Sequence, residues 1–213
     1  MTNGGTNGAL PWAQELEPAR CALVVIDMQN DFCAPGGYID QVMGKDVSGA
    51  AAVVPVIDGL VKLARQAGVP VVWVGSDYST DKIPASMRRK LLMRGITAEC
   101  CKPGTWGAQW FGLAPEPEEP MVIKHSYAGF TGTVLEAVLR DMGAQTLVFA
   151  GVQTQVCVES TVREAHAKGY TAVVVRDGVG SHSPALHDAS LANVQFLFGE
   201  VCDAQDVIKA WSK

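Results

Sequence analysis

Continuous apolar runs rich in β-branched residues recur along the chain, and they constrain its fold more than any other feature. The runs are CALVVID (21–27), VPVVWVGS (69–76), MVIKH (121–125), AQTLVFAG (144–151) and YTAVVVRDG (170–178), and a last short strand is predicted near EVCD (200–203). Such runs are typical of parallel strands that are buried on both faces. Helical patterns lie between them, at 51–68, 132–143, 161–169 and 184–199. This alternation predicts an α/β fold with a parallel sheet covered by helices on both faces.

Composition is consistent with one domain and excludes several functional classes. Of the 213 residues 48% are hydrophobic, and the net charge is −5 without a basic run, which argues against a nucleic-acid partner. No apolar run is long enough to span a bilayer, so no membrane partner is expected. We predict a flexible segment at 1–18 and a single domain at 19–213. The start of the chain lacks the features of a signal peptide, so we expect a cytoplasmic protein with six reduced cysteines.

Three chemically capable side chains follow or end predicted strands. Asp27 ends the first run, Lys124 ends the third, and Cys157 follows the fourth in GVQTQVCVES (151–160). Functional sites of open α/β sheets lie beyond the carboxyl ends of the strands. We therefore expect a carboxylate, an ammonium and a thiol at one edge of the sheet.

Each of these residues also has an ordinary structural interpretation. A buried cysteine packs as a small hydrophobe, an aspartate after a strand caps a turn, and a strand-end lysine reaches solvent. Cys157, however, lies where a strand passes into a helix, and the free N–H groups there lower a thiol pKa and can hold an oxyanion. Asp27 can exchange protons with the thiol, and Lys124 can stabilise negative charge.

The segment 77–120 reads as a long irregular loop, which in a compact domain is usually functional. We expect it to cover the pocket. Within it, Arg88 and Arg89 are candidates to meet a substrate carboxylate, although such pairs are more often a solvated face. The apolar stretch WGAQWFGLAP (106–115) suits either contacts between subunits or the pocket lining.

Three segments resemble the isochorismatase-like cysteine hydrolases. They are ALVVIDMQNDF (22–32), KHSYAGFTGT (124–133) and LVFAGVQTQVCVESTVREAHAKGYTAVVVRDGVGS (147–181). The resemblance implies a three-layer α/β/α fold with a mostly parallel, six-stranded, Rossmann-like sheet. It also implies that Cys157 is the nucleophile, Asp27 the general base and acid, and Lys124 the third member of a catalytic triad.

The resemblance further implies a cis peptide bond at Val152–Gln153 and an oxyanion hole formed by the backbone N–H groups of Gln153 and Cys157. No cofactor is implied, and the expected assembly is a homo-oligomer, either a dimer or a tetramer. A small planar amide needs several fixed donors and acceptors. The candidates for substrate binding, each of which could instead serve packing or turn structure, are Asn30, Trp106, Tyr127, Phe130, Gln153 and Gln195.

Branches of this family differ in chemistry. Nicotinamidases carry an Asp-x-His and a further His that bind a metal, whereas the corresponding segment here, SDYSTDK (76–82), has Asp77 but no histidine, so no metal site is expected. Isochorismatases proper cleave a vinyl ether and lack the catalytic cysteine. APGGYID (34–40) and KHSYAGFTGT look like the ureido-amide branch, which includes ureidoacrylate, biuret and triuret hydrolases.

The favoured hypothesis is therefore a cysteine-dependent amidohydrolase that cleaves a terminal carbamoyl C–N bond of a small molecule and releases ammonia. A hydrolase of N-carbamoyl amino acids or of other small amides is the alternative within the family. Two hypotheses from other classes stay open, because a fold does not determine a function: a non-catalytic binding module and a redox-sensing thiol protein.

Overall fold

The computed structural model describes residues 12–212, in which six parallel strands form a single sheet. The spatial order is β3-β2-β1-β4-β5-β6. The strands are β1 (Cys21–Ile26), β2 (Val71–Ser76), β3 (Met121–Lys124), β4 (Thr146–Val152), β5 (Thr171–Gly180) and β6 (Glu200–Cys202). Strands β1 to β3 are added toward one side of the sheet, and the chain then crosses back to add β4 to β6 on the other side. The order of the strands therefore reverses between β1 and β4. Ligands bind at such a switch point in open α/β sheets.

Helices connect the strands and cover both faces of the sheet. The α-helices within residues 12–212 are α1 (Asn30–Cys33), α2 (Tyr38–Gln41), α3 (Ser48–Ala52), α4 (Val54–Ala67), α5 (Ala85–Leu92), α6 (Leu135–Asp141), α7 (Glu159–Ala167), α8 (Pro184–Asn193) and α9 (Ala204–Trp211). Wide π-helical turns at Thr154–Val158 and Val194–Phe198 adjoin α7 and α8. No helix in this part of the chain is long and apolar enough to cross a membrane.

The two-residue period of the strands divides the core into two layers. In β1, Leu23 and Val25 face a cluster that includes α4 and α9, whereas Val24 and Ile26 face a cluster that includes α6, α7 and α8. Successive side chains of a strand point to opposite faces, so a fully apolar strand buries both. The predicted three-layer α/β/α fold with a six-stranded sheet is confirmed.

Two helices were missed in the sequence-based prediction. The flexible segment at 1–18 stays a prediction: residues 1–11 lie outside the described residues, and Ala13–Leu16 forms a 3₁₀ turn in which Leu16 is buried. The segment predicted to be irregular contains α5, which was missed because Met87 is its only buried side chain, so its apolar period is weak. The terminal helix α9 was also missed, although its first turn carries a capping box between Asp203 and Asp206.

Candidate active site

The three predicted catalytic side chains lie together at the carboxyl edge of the sheet. Asp27 directly follows β1, Lys124 is the last residue of β3, and Cys157 lies in the wide turn that joins β4 to α7. All three are buried, Asp27 and Lys124 completely. The sheet order thus brings a thiol, a carboxylate and an ammonium into one site from distant parts of the chain.

The backbone of β4 approaches β1 closely just before the cysteine. Gly151 has a φ of +118°, and a Cβ atom there would lie 2.0 Å from the carbonyl oxygen of Ile26, so the approach requires glycine. One residue further on, the peptide bond Val152–Gln153 is cis, as the resemblance predicted. The chain therefore enters the turn that holds the cysteine directly beside the end of β1.

Asp27 and Lys124 form a buried ion pair that Ser76 completes. The Nζ atom of Lys124 lies 2.8 Å from Oδ2 of Asp27. The Ser76 hydroxyl donates to the other carboxylate oxygen at 2.8 Å and accepts a hydrogen bond from Lys124 at 2.8 Å. A buried ion pair is tolerated only when further hydrogen bonds satisfy its remaining donors and acceptors. Ser76 ends β2, the strand between β1 and β3, and can therefore reach both partners.

Tyr78 links this ion pair to the cysteine. Lys124 donates a hydrogen bond to the phenolic oxygen at 2.7 Å, and that oxygen lies 3.1 Å from the carbonyl oxygen of Ser126 and 3.7 Å from Sγ of Cys157. Neither Ser76 nor Tyr78 was predicted from the sequence. The available signal was their position: both lie at the end of a strand run, two residues apart, where side chains share a face.

The charges of the site follow from burial and from these contacts. Burial raises the pKa of the Cys157 thiol to about 12, and the Asp27 carboxylate raises it too, while Lys124 and Tyr78 lower it. Burial lowers the pKa of Lys124, but Asp27 and Cys157 raise it, and the net direction is upward. The resting site at neutral pH thus holds a neutral thiol beside a charged lysine.

Tyr78→Phe should raise the pKa of Cys157 further, because the hydrogen bond from the phenol lowers it. We expect alkylation of Cys157 by iodoacetamide at pH 9 to slow several-fold and its pH profile to move to higher pH, measured by mass spectrometry of the cysteine peptide. The control is Tyr38→Phe, a second buried tyrosine that lines the same cavity. An unchanged alkylation profile would show that Tyr78 acts only in packing.

A cavity of about 500 Å³ opens onto Cys157, and two of the predicted substrate-binding residues line it. Tyr127 packs edge-on against Tyr78, with the ring centroids 6.2 Å apart. The side-chain oxygen of Gln153 accepts a hydrogen bond from the backbone N–H of His182 at 3.0 Å. Tyr127 and Gln153 are thus held in place beside the thiol.

The structure does not bring Asn30 or Trp106 to this cavity. The Asn30 amide donates to the backbone carbonyl of Trp106 at 2.9 Å, so its polar group stabilises the loop that carries the tryptophan. The Trp106 side chain itself is 50% exposed. The predictions that these two residues bind substrate are corrected to a structural role and a surface position.

Phe130 and Gln195 are also placed elsewhere. Phe130 is buried in the core that includes α6 and α7 and stacks on Tyr170, with the centroids 5.9 Å apart. Gln195 accepts a hydrogen bond from the N–H of Val201 and donates to Glu200, at the start of β6. The start of a parallel strand lies at the amino edge of the sheet, opposite the edge that carries the triad. Both predictions are therefore corrected.

The predicted roles of two further segments change as well. Neither Arg88 nor Arg89 lines the cavity, and no residue of 106–115 does so. In that stretch, Trp110 packs edge-on against Trp73 with the centroids 5.3 Å apart, next to the core. The pocket-lining alternative for 106–115 is thus wrong, and its alternative role in subunit contacts stays a prediction.

Acidic side chains near the site are already engaged. Asp77 accepts hydrogen bonds from Lys82 and from the Ser79 hydroxyl, both at 2.6 Å. Asp31 lies close to the thiols of Cys100 and Cys101, but its two oxygens accept the backbone N–H groups of Tyr38 and Cys101. These carboxylates anchor loops, and the expectation of no metal site stays a prediction.

Comparison with known proteins assigns this geometry to a family. The isochorismatase domain matches residues 21–206. The chain belongs to the isochorismatase family. It is 37% identical to the ureidoacrylate amidohydrolase RutB of Methylobacterium radiotolerans over 209 residues. The alignment covers 92% of this chain and 81% of that relative.

Solved structures of the isochorismatase family share its fold. An isochorismatase family protein from Desulfovibrio vulgaris superposes with a TM-score of 0.79 at 29% identity, covering 91% of this chain and 99% of the other. A cysteine hydrolase from Pseudomonas syringae gives a TM-score of 0.78 at 26% identity, covering 92% and 94%. The family predicted from the sequence is confirmed, and this member is an amidohydrolase that acts on C–N bonds other than peptide bonds.

Proposed function

We propose that this isochorismatase-family protein uses Cys157 to cleave the terminal carbamoyl C–N bond of a small ureido-type compound, such as ureidoacrylate, biuret or triuret, and that it releases ammonia through a covalent acyl-enzyme. One observation carries the proposal. The thiol, neutral at rest, lies beside the buried Asp27–Lys124 pair and opens onto a cavity of about 500 Å³. A thiol, a carboxylate and an ammonium that lie together can act as nucleophile, base and fixed positive charge, and this supports the proposal.

In the first step Asp27 takes the thiol proton while the sulfur attacks the carbamoyl carbon. A C–S bond forms, and the carbonyl electrons move to the oxygen. The backbone N–H groups of Gln153 and Cys157 donate to this oxyanion, which strengthens their interaction as the charge develops. Lys124 stays charged and keeps the negative charge of the site balanced.

In the second step the C–N bond breaks, Asp27 returns the proton to the leaving nitrogen, and ammonia departs. The acyl group remains on Cys157 as a thioester-like intermediate. Water then attacks the acyl carbon while Asp27 takes its proton, and the C–S bond breaks with return of a proton to the sulfur. The same carboxylate thus serves as base and acid in both halves. These steps need no metal or organic cofactor.

The test is an ammonia-release screen across ureidoacrylate, biuret, triuret, N-carbamoyl amino acids and nicotinamide, combined with mass spectrometry of the intact protein after rapid acid quenching. We expect ammonia from a ureido compound and an adduct on Cys157 with the mass of the substrate minus ammonia. Treatment with a chelator should leave the rate unchanged. Activity lost to the chelator and restored by zinc would overturn the mechanism. A thiol that only forms sulfenate with peroxide would favour the redox-sensor hypothesis.

A further inference from the structure

The mouth of the cavity carries positive charge without acidic partners. Lys45, Lys90 and Arg94 line the cavity, whereas no Asp or Glu of the described residues does. Within residues 12–212 none of these three cations forms an ion pair. By contrast, the exposed Lys62 and Lys102 each lie 2.6 Å from a carboxylate oxygen. Arg20, Arg88 and Arg89 also lack ion pairs among residues 12–212, but of the cations without ion pairs in this range only Lys45, Lys90 and Arg94 line the cavity.

Two of these cations lie on one face of α5 and its extension. Met87, Lys90, Leu91 and Arg94 all line the cavity, and their spacing of three, four and seven residues is that of a single helical face. The turn continues past the helix end, since the N–H of Arg94 donates to the carbonyl of Leu91 at 2.9 Å. The same spacing turns Arg89 away from the cavity, so the helical period of MRRKLLMRG directs only some of its cations to the cavity.

The positive charges of Arg94 and Lys45 shift the pKa values of titratable side chains that line the cavity. Burial raises the pKa values of Tyr38 and Tyr127, and the Arg94 guanidinium acts on both phenols in the opposite direction. The Cys157 thiol acts on the Tyr127 phenol as well, raising its pKa, and Tyr127, Arg94 and Cys157 all line the cavity. On another wall, Lys45 acts with burial to lower the pKa of His182.

We propose that Arg94, assisted by Lys90 and Lys45, forms an anion subsite that binds a substrate carboxylate while the carbamoyl end of the same molecule reaches Cys157. Guanidinium groups hold carboxylates through paired hydrogen bonds, and a cluster of like charges around a cavity attracts the opposite charge. This inference rests on the proposed function. It selects anionic ureido acids from the candidates and disfavours neutral biuret and triuret.

The test compares ureidoacrylate with its methyl ester, which has the same ureido group but lacks the charge. Arg94→Ala should lower kcat/KM for ureidoacrylate by about 10- to 100-fold, mainly through KM, because it removes a charge-assisted interaction made in ground and transition states alike. Hydrolysis of the ester should change by less than about threefold. Arg94→Lys should retain part of the preference. The matched control is Arg89→Ala, on the same helix but outside the cavity. This variant should leave kcat/KM unchanged for both ureidoacrylate and its ester.

Calorimetry with a Cys157→Ala variant measures binding without turnover. We expect ureidoacrylate to bind more tightly than its ester, and this preference should disappear when Arg94→Ala is added. If Arg94→Ala leaves the rate of ammonia release unchanged and biuret is hydrolysed faster than ureidoacrylate, the subsite is overturned and the proposed function stays intact. Binding of ureidoacrylate that depends on Arg94, in a wild-type protein that releases no ammonia, would uphold the subsite and overturn the proposed function.

Discussion

Replacing Cys157 with alanine is expected to abolish ammonia release, with kcat lowered by about 10⁴-fold or more, since the C–S bond of the intermediate can no longer form. Cys157→Ser should be almost as inactive. A serine hydroxyl is a much weaker acid than a thiol and gives up its proton far less readily. The rate is measured by ammonia release under saturating substrate. A serine variant that retains more than about a tenth of the wild-type rate would contradict the assignment.

The control uses the same substitution at another buried cysteine. Cys202 ends β6 and is likewise buried, at 5% exposure, but it does not line the cavity. Cys202→Ser should therefore keep its rate within about threefold of the wild type, although it can cost some stability through an added buried hydroxyl. Thermal unfolding of both variants separates loss of chemistry from loss of fold.

The second large effect is expected for Lys124→Met, which should reduce both stability and activity. Removing the ammonium leaves the Asp27 carboxylate buried without its partner, and breaking a buried ion pair costs about 3–5 kcal/mol of unfolding free energy. The hydrogen bonds of Lys124 to Ser76 and Tyr78 are lost as well. Urea denaturation gives the change in stability, and ammonia release should fall below detection.

A double variant separates the two effects. Asp27→Asn combined with Lys124→Met removes both charges, so its unfolding free energy should recover by about 2 kcal/mol or more relative to Lys124→Met alone. It should remain inactive, because an amide cannot take the proton of Cys157. A double variant no more stable than Lys124→Met would mean that the unpaired carboxylate is not the source of the loss. Recovered activity would exclude Asp27 as the base.

The fold was largely predictable because its signals are local. An apolar run such as Cys21–Ile26 is recognisable as a strand without knowledge of its spatial partners. The alternation of strands with helices then restricts the sheet to a few possible topologies. The errors occurred where the local signal was weak. Helix α5 buries only Met87, so its helical period was hidden within a basic, apparently irregular segment.

The positions of the candidate substrate-binding side chains were less predictable because each depends on distant contacts. Asn30 reaches the carbonyl of Trp106, and that contact, 76 positions along the chain, directs its amide away from the cavity. Gln195 bonds to Val201 near the start of β6, so it lies at the amino edge of the sheet because β6 begins there. Neither outcome is encoded in the residues next to these side chains.

The sequence by itself determined the parallel sheet and the placement of Asp27, Lys124 and Cys157 at its carboxyl edge, because strand burial and strand ends are recognisable within a few positions of each residue. The tertiary structure alone decided that Ser76 and Tyr78 join the ion pair to the thiol and that Arg94 lies at the cavity mouth. Those contacts depend on the spatial order of the strands and on the face that α5 turns inward. Both arise from packing across the whole chain, which no short stretch of sequence contains.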